Sequence, residues 1–125
     1  MNFNPYQQYK QQMVQTASPE KLLLMLYDGA IKFLKQAIEA IENQDLAVAH
    51  EKILKVQDII TELMITVDTS VEVGKNLYLL YDYFLQRLIA ANVKKENAYL
   101  EEVKSYLEEL REVWQQAALS FQRNE

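Results

Sequence analysis

Apolar residues recur at helical spacing through most of the chain. In residues 46–67 and again in 97–120, the steps between them alternate between three and four. This is the period of a helix that buries one face against its neighbours. The repeating positions are Leu46, Ala49, Ile53, Val56, Ile60, Leu63 and Val67 in the first stretch, and Leu100, Val103, Leu107, Leu110, Trp114, Ala117 and Phe121 in the second.

Two further stretches, 19–42 and 72–92, carry the same kind of stripe. It consists of Leu23, Leu26, Tyr27, Ala30, Leu34, Ala37, Ile38 and Ile41 in one, and Val73, Leu77, Leu80, Tyr81, Phe84 and Leu88 in the other. Ser18 followed by Pro19 and Glu20 predicts a helix start, and Asp45 can cap the second helix. Because the turns are short, consecutive helices must run antiparallel.

The pattern therefore predicts an all-α fold, an antiparallel up-down four-helix bundle of residues 18–125. Residues 1–17 are rich in Gln, Asn and Tyr without a sustained apolar period. They are interpreted as a short N-terminal arm, helical or extended. If the arm is helical, Tyr6, Tyr9 and Met13 share one face.

The helices carry more apolar residues than a bundle core requires, since a core uses about three-sevenths of each helix. The additional positions are Leu22, Leu24, Ile31 and Phe33 on the first helix, Leu54 and Ile65 on the second, and Tyr78, Leu85, Ile89, Leu79, Tyr83 and Ala90 on the two edges of the third. Exposed apolar patches of this kind usually bind partners, often an amphipathic helix in a groove. Packing against two neighbours and the arm is the alternative explanation.

Composition narrows the function. Of 125 residues, 18 are acidic and 13 basic, a net charge of −5, and there is no cysteine. Nucleic acid is therefore an unfavourable partner, and disulfides and thiol catalysis are excluded. The longest apolar run, 22–27, is too short for membrane insertion. The N-terminus lacks the features of a signal peptide, so we expect a cytoplasmic protein.

Candidate chemistry is sparse. His50 is the single histidine, and Ala47 stands where a ferritin-like di-iron site needs a glutamate. No Gly-rich phosphate loop is present. We expect no catalytic residue, no metal and no cofactor, and hence no enzyme. Two alternatives stay open: a purely structural helical protein, and a histidine phosphotransfer bundle using His50, against which Glu51 would repel a phosphoryl group.

Three blocks of residues resemble the flagellin export chaperones of the FliS type. They are Asn4-Pro5-Tyr6 and Tyr9 continuing into Thr16 to Pro19 and Leu22 to Ala30, then Leu80 to Tyr83 with Arg87-Leu88 and Ala91-Asn92, and finally Glu101-Glu102-Val103 with Trp114. The blocks follow one another in order over nearly the whole chain. The block from Thr16 to Ala30 is the most specific of the three.

The resemblance implies a bundle that binds the disordered C-terminal segment of flagellin in the cytoplasm, prevents premature polymerisation and delivers flagellin to the gate of the flagellar type III export apparatus. It also implies that Tyr6 and Tyr9 take part in the groove or in docking. Together with the additional apolar positions, it predicts a partner-binding set of Tyr6, Tyr9, Leu24, Ile31, Leu54, Tyr78, Leu79, Tyr83, Leu85 and Ile89. The oligomeric state, a homodimer included, stays open.

Overall fold

The computed structural model describes residues 19–123, with side chains described through residue 119, and these residues form four helices. They are α1 (Pro19–Glu42), α2 (Leu46–Thr66), α3 (Glu72–Lys94) and α4 (Asn97–Arg123). The helix starts agree with the predicted stretches 19–42, 46–67, 72–92 and 97–120. The predicted arm, residues 1–17, and the predicted cap Ser18 lie outside the described residues.

Local chemistry sets the helix ends. The Asp45 side chain accepts a hydrogen bond from the Val48 backbone N–H at 3.3 Å, which confirms it as the cap of α2. At the end of α3, Lys95 takes a left-handed conformation with φ of 53°, and its N–H donates to the Ala91 carbonyl at 2.6 Å. The chain then turns directly into α4.

Contacts between helices fix their directions. Asp28 pairs with Arg111, and farther along α1 the Ile38 carbonyl accepts from Asn97. As the residue number increases along α1, the number of its contact partner on α4 decreases, so the two helices are antiparallel. The same descending order holds for the pairs Gly29–Ile59 and Phe33–Lys55 between α1 and α2, and for Arg87–Glu102 and Lys94–Tyr99 between α3 and α4.

Helices consecutive in sequence pack against each other, and α4 closes the ring on α1. The predicted antiparallel four-helix bundle is confirmed. Within the described range, no helix has the length and apolar character needed to cross a membrane.

A polar contact lies at the centre of the bundle. Tyr27 of α1 and Tyr81 of α3 are both buried, and their hydroxyl oxygens lie 2.7 Å apart. Because α1 and α3 are diagonal partners, this hydrogen bond spans the core. Burial raises the pKa of both hydroxyls, so the pair stays protonated and each group keeps a partner.

Several predicted core positions are wrong. Leu46 and Val73 lie in the first turns of α2 and α3 and are exposed, Val73 to 67 %. Helix ends extend past the layer where all four helices overlap. A side chain that points inward at such an end therefore has no neighbouring helix to pack against. Ala117, in the last part of α4, is exposed as well. Conversely, Ile59 is fully buried although the period did not select it.

Candidate partner-binding surface

Helix α3 has apolar side chains on both edges of its outward face. Tyr78 and Ile89 lie on the edge toward α2, and Leu79 and Tyr83 lie on the edge toward α4. All four are exposed, from 40 % for Tyr83 to 65 % for Leu79. This agrees with the sequence-based expectation for α3, and we call the whole region the α3 surface.

The edge toward α2 is an apolar strip formed by side chains of both helices. His50 Nδ1 of α2 lies 3.1 Å from Asn92 Oδ1 of α3, which sets the register of the two helices. Leu54 is one turn after His50, and Ile89 is nearly one turn before Asn92, so antiparallel geometry places them at one level. Leu54 is exposed as predicted, and Leu85 is half-buried against the core between the two helices.

The edge toward α4 includes residues that the sequence did not single out. Tyr106 of α4 is exposed, and its ring lies 5.6 Å from that of the buried Phe84, which places it beside Tyr83. Val113 lies two turns farther along α4 on the same side and is also exposed. On a helical wheel both stand about 70–90° from the centre of the α4 core stripe. A search of α4 for apolar residues outside the core stripe, as on the other three helices, would have identified both.

A polar network borders this second edge. Glu102 of α4 accepts from Tyr83 Oη at 2.9 Å and from Arg87 Nε at 2.6 Å. The Arg87 guanidinium also stacks over the Tyr99 ring at 4.5 Å. Although desolvation opposes it, these two hydrogen bonds lower the pKa of the Glu102 carboxyl, while donation to that carboxylate raises the pKa of Tyr83. Tyr83 and Arg87 are therefore held in fixed positions on the surface.

On α1 the structure corrects the expectation of accessible apolar surface. Ile31 was expected to be accessible, but it is only 8 % exposed and belongs to the core. Phe33 is half-buried beneath the ammonium groups of Lys52 and Lys55, at 5.6 and 5.2 Å from its ring centre. Leu24 is half-buried. The wide apolar arc of α1 is used inside the bundle because α1 packs closely against both α2 and α4.

The two remaining predicted positions, Tyr6 and Tyr9, lie outside the described residues. His50 is exposed and hydrogen-bonded to Asn92. Its role in the structure is to join α2 to α3 at one end of the apolar strip.

The model of the family described as "Flagellar protein FliS" matches residues 2–120. The chain belongs to the FliS family. Among its relatives, the flagellar secretion chaperone FliS of Bacillus subtilis (strain 168) is 42 % identical over 117 residues, covering 94 % of this chain and 88 % of the relative. The flagellar secretion chaperone FliS of Salmonella typhimurium is 34 % identical, covering 89 % of this chain and 86 % of the relative.

The fold agrees with the family assignment. A solved structure titled "Crystal structure of flagellar chaperone from bacteria" superimposes with a TM-score of 0.77, covering 92 % of this chain and 95 % of that one. At 20 % identity this likeness concerns the fold alone. This FliS-family protein is thus a flagellar secretion chaperone by family and a four-helix bundle by structure, and the resemblance noted from the sequence is confirmed.

Proposed function

We propose that this FliS-family protein binds the disordered C-terminal segment of flagellin on the α3 surface, in the cytoplasm. Bound there, the segment is withheld from polymerisation and flagellin is delivered to the gate of the flagellar type III export apparatus. The observation that carries the proposal is the row of exposed apolar side chains on α3, from Tyr78 to Ile89. A solitary bundle has no structural use for such a row.

The energetics of a disordered partner favour a long surface of this kind. Ordering a flexible segment costs about 2–5 kcal/mol of the interaction energy. A single side chain such as Ile89, already 58 % buried, has little more than 1 kcal/mol to gain from complete burial. Several positions must therefore act together, which the two edges of α3 provide. The hold is then the sum of many weak contacts and is releasable without a nucleotide.

The test is a calorimetric titration of the full chain with a synthetic peptide of the flagellin C-terminal segment. Ile89→Asp should weaken binding at least tenfold, because it removes apolar contact and places a carboxylate under the peptide. The matched control is Leu119→Asp on α4. Leu119 is 43 % exposed against 42 % for Ile89. On a helical wheel it lies about 120–140° from Tyr106 and Val113, which are on the side of α4 toward α3.

Both variants should retain the helical circular dichroism of the parent. Equal binding by the parent and Ile89→Asp would remove the α3 surface from the proposal. Equal losses in both variants would mean that the effect is not local to α3. Tyr6 and Tyr9 stay predictions, which a deletion of residues 1–17 tests in the same titration.

A further inference from the structure

One charged residue lies inside the α3 surface. Asp82 occupies the outward side of α3, and its helical neighbours three and four positions away are Tyr78, Leu79, Leu85 and Gln86. Three of these four belong to the predicted partner-binding set. As a whole residue Asp82 is half-buried, and the helical positions next to it are mostly apolar.

Asp82 has no cation of its own. Within the part of the chain that the structure describes, it makes no ion pair and no hydrogen bond. Arg87, the cation nearest to it in sequence on α3, is held by Glu102 of α4 at 2.6 Å. Asp28, by contrast, pairs with Arg111 through both carboxylate oxygens. Asp82 therefore depends on water for its solvation.

A chain bound across Tyr78, Leu79 and Leu85 would remove much of that water. A desolvated carboxylate without a partner opposes binding, whereas a cationic donor from the ligand turns it into a charge-assisted hydrogen bond. The net charge of −5 also favours approach of a basic segment.

We infer that Asp82 is a specificity-determining residue, which selects a segment presenting a Lys or Arg side chain at the border of its apolar face. This inference rests on the proposed function. It adds that recognition requires one basic side chain at a defined place, beyond apolar character alone. An apolar segment without that basic side chain would leave Asp82 desolvated and unpaired, and should bind more weakly.

The test combines variants of the protein with variants of the ligand. The full chain, Asp82→Asn and the control Glu39→Gln, an exposed acid on α1, are titrated with the flagellin C-terminal peptide. The same titrations use peptides in which each Lys or Arg is replaced singly by Gln. Circular dichroism establishes that the variants are folded.

Asp82→Asn should weaken binding about tenfold, between the effects of an exposed and a fully desolvated charge pair. Glu39→Gln should change it less than about twofold, since surface charges away from a contact contribute little. One Gln peptide should show the same tenfold loss on the parent protein and no further loss on Asp82→Asn.

Equal or tighter binding by Asp82→Asn, or additive losses with every peptide, would overturn the role of Asp82 while leaving the proposed function in place. Failure of the parent to bind any of the peptides would instead overturn the proposed function, and this inference with it.

Discussion

The two glycines of the chain both lie in helices, and the structure predicts opposite effects for their replacement by alanine. A Cβ added at Gly29 in α1 would lie 3.5 Å from Ile59 Cδ1, an ordinary van der Waals distance. A Cβ added at Gly74 in α3 would lie 1.7 Å from the Asp68 carbonyl oxygen, which is impossible without movement of the backbone. Neither glycine has a positive φ.

The magnitudes follow from these distances. Inside a helix, alanine is favoured over glycine by about 1 kcal/mol. Gly29→Ala should therefore stabilise the bundle by about 0.5–1 kcal/mol and raise Tm by roughly 2–6 °C. Gly74→Ala must displace the turn at Asp68, an overpacking that costs about 1–3 kcal/mol and exceeds any gain in helix propensity at the first turn.

Urea unfolding followed by far-ultraviolet circular dichroism measures both changes on one scale. The fold of Gly74→Ala can be followed separately by the amide resonance of Ser70, whose N–H donates to Asp68 at 2.9 Å and should shift when the turn moves. A destabilised Gly29→Ala would refute the packing argument, as would a neutral Gly74→Ala. If Gly29→Ala is stable but binds flagellin peptide poorly, the glycine serves a partner contact.

Three further changes test the core and the surface network. Ile31→Ala should lower the free energy of unfolding in urea by about 2–4 kcal/mol, because Ile31 is a core residue. A decrease below about 1 kcal/mol would contradict its place in the core. Tyr81→Phe should cost about 1–2 kcal/mol by leaving the Tyr27 hydroxyl buried without its partner, and the double replacement of both tyrosines by Phe should cost less than the sum of the single ones. The pKa of the Glu102 carboxyl is lower in the folded protein than in the unfolded chain. Glu102 therefore stabilises the bundle at pH values above the unfolded-state pKa, and this stabilisation is lost as the pH falls through the folded-state pKa. Arg87→Gln should raise that pKa in a carbon-13 NMR titration, and an unchanged value would show that Arg87 does not set it.

Local patterns in the sequence determined the fold. The alternating steps of three and four specified four amphipathic helices, and residues such as Asp45 specified where one of them begins. These features depend only on neighbours within a few positions along the chain, which is why they are legible without a structure. Short turns then left antiparallel packing as the one arrangement for consecutive helices.

The sequence also indicated correctly that α3 carries more apolar side chains than the bundle core requires, and it identified the family. It did not separate Ile31 from Ile89, which are equally apolar and both lie at the edge of a core stripe. In the structure one is 8 % exposed and the other 42 %. A helical period gives the direction of a side chain but not the distance to the next helix.

That distance was decided by the tertiary structure alone. Helix α1 packs closely against both of its neighbours, and Gly29 leaves room for Ile59, so Ile31 and Ile59 become core. Helix α3 keeps its outer edges open. The distance between neighbouring helices decides which apolar residues stay accessible to a partner. This distance is a property of the packed bundle and cannot be read from the sequence of any single helix.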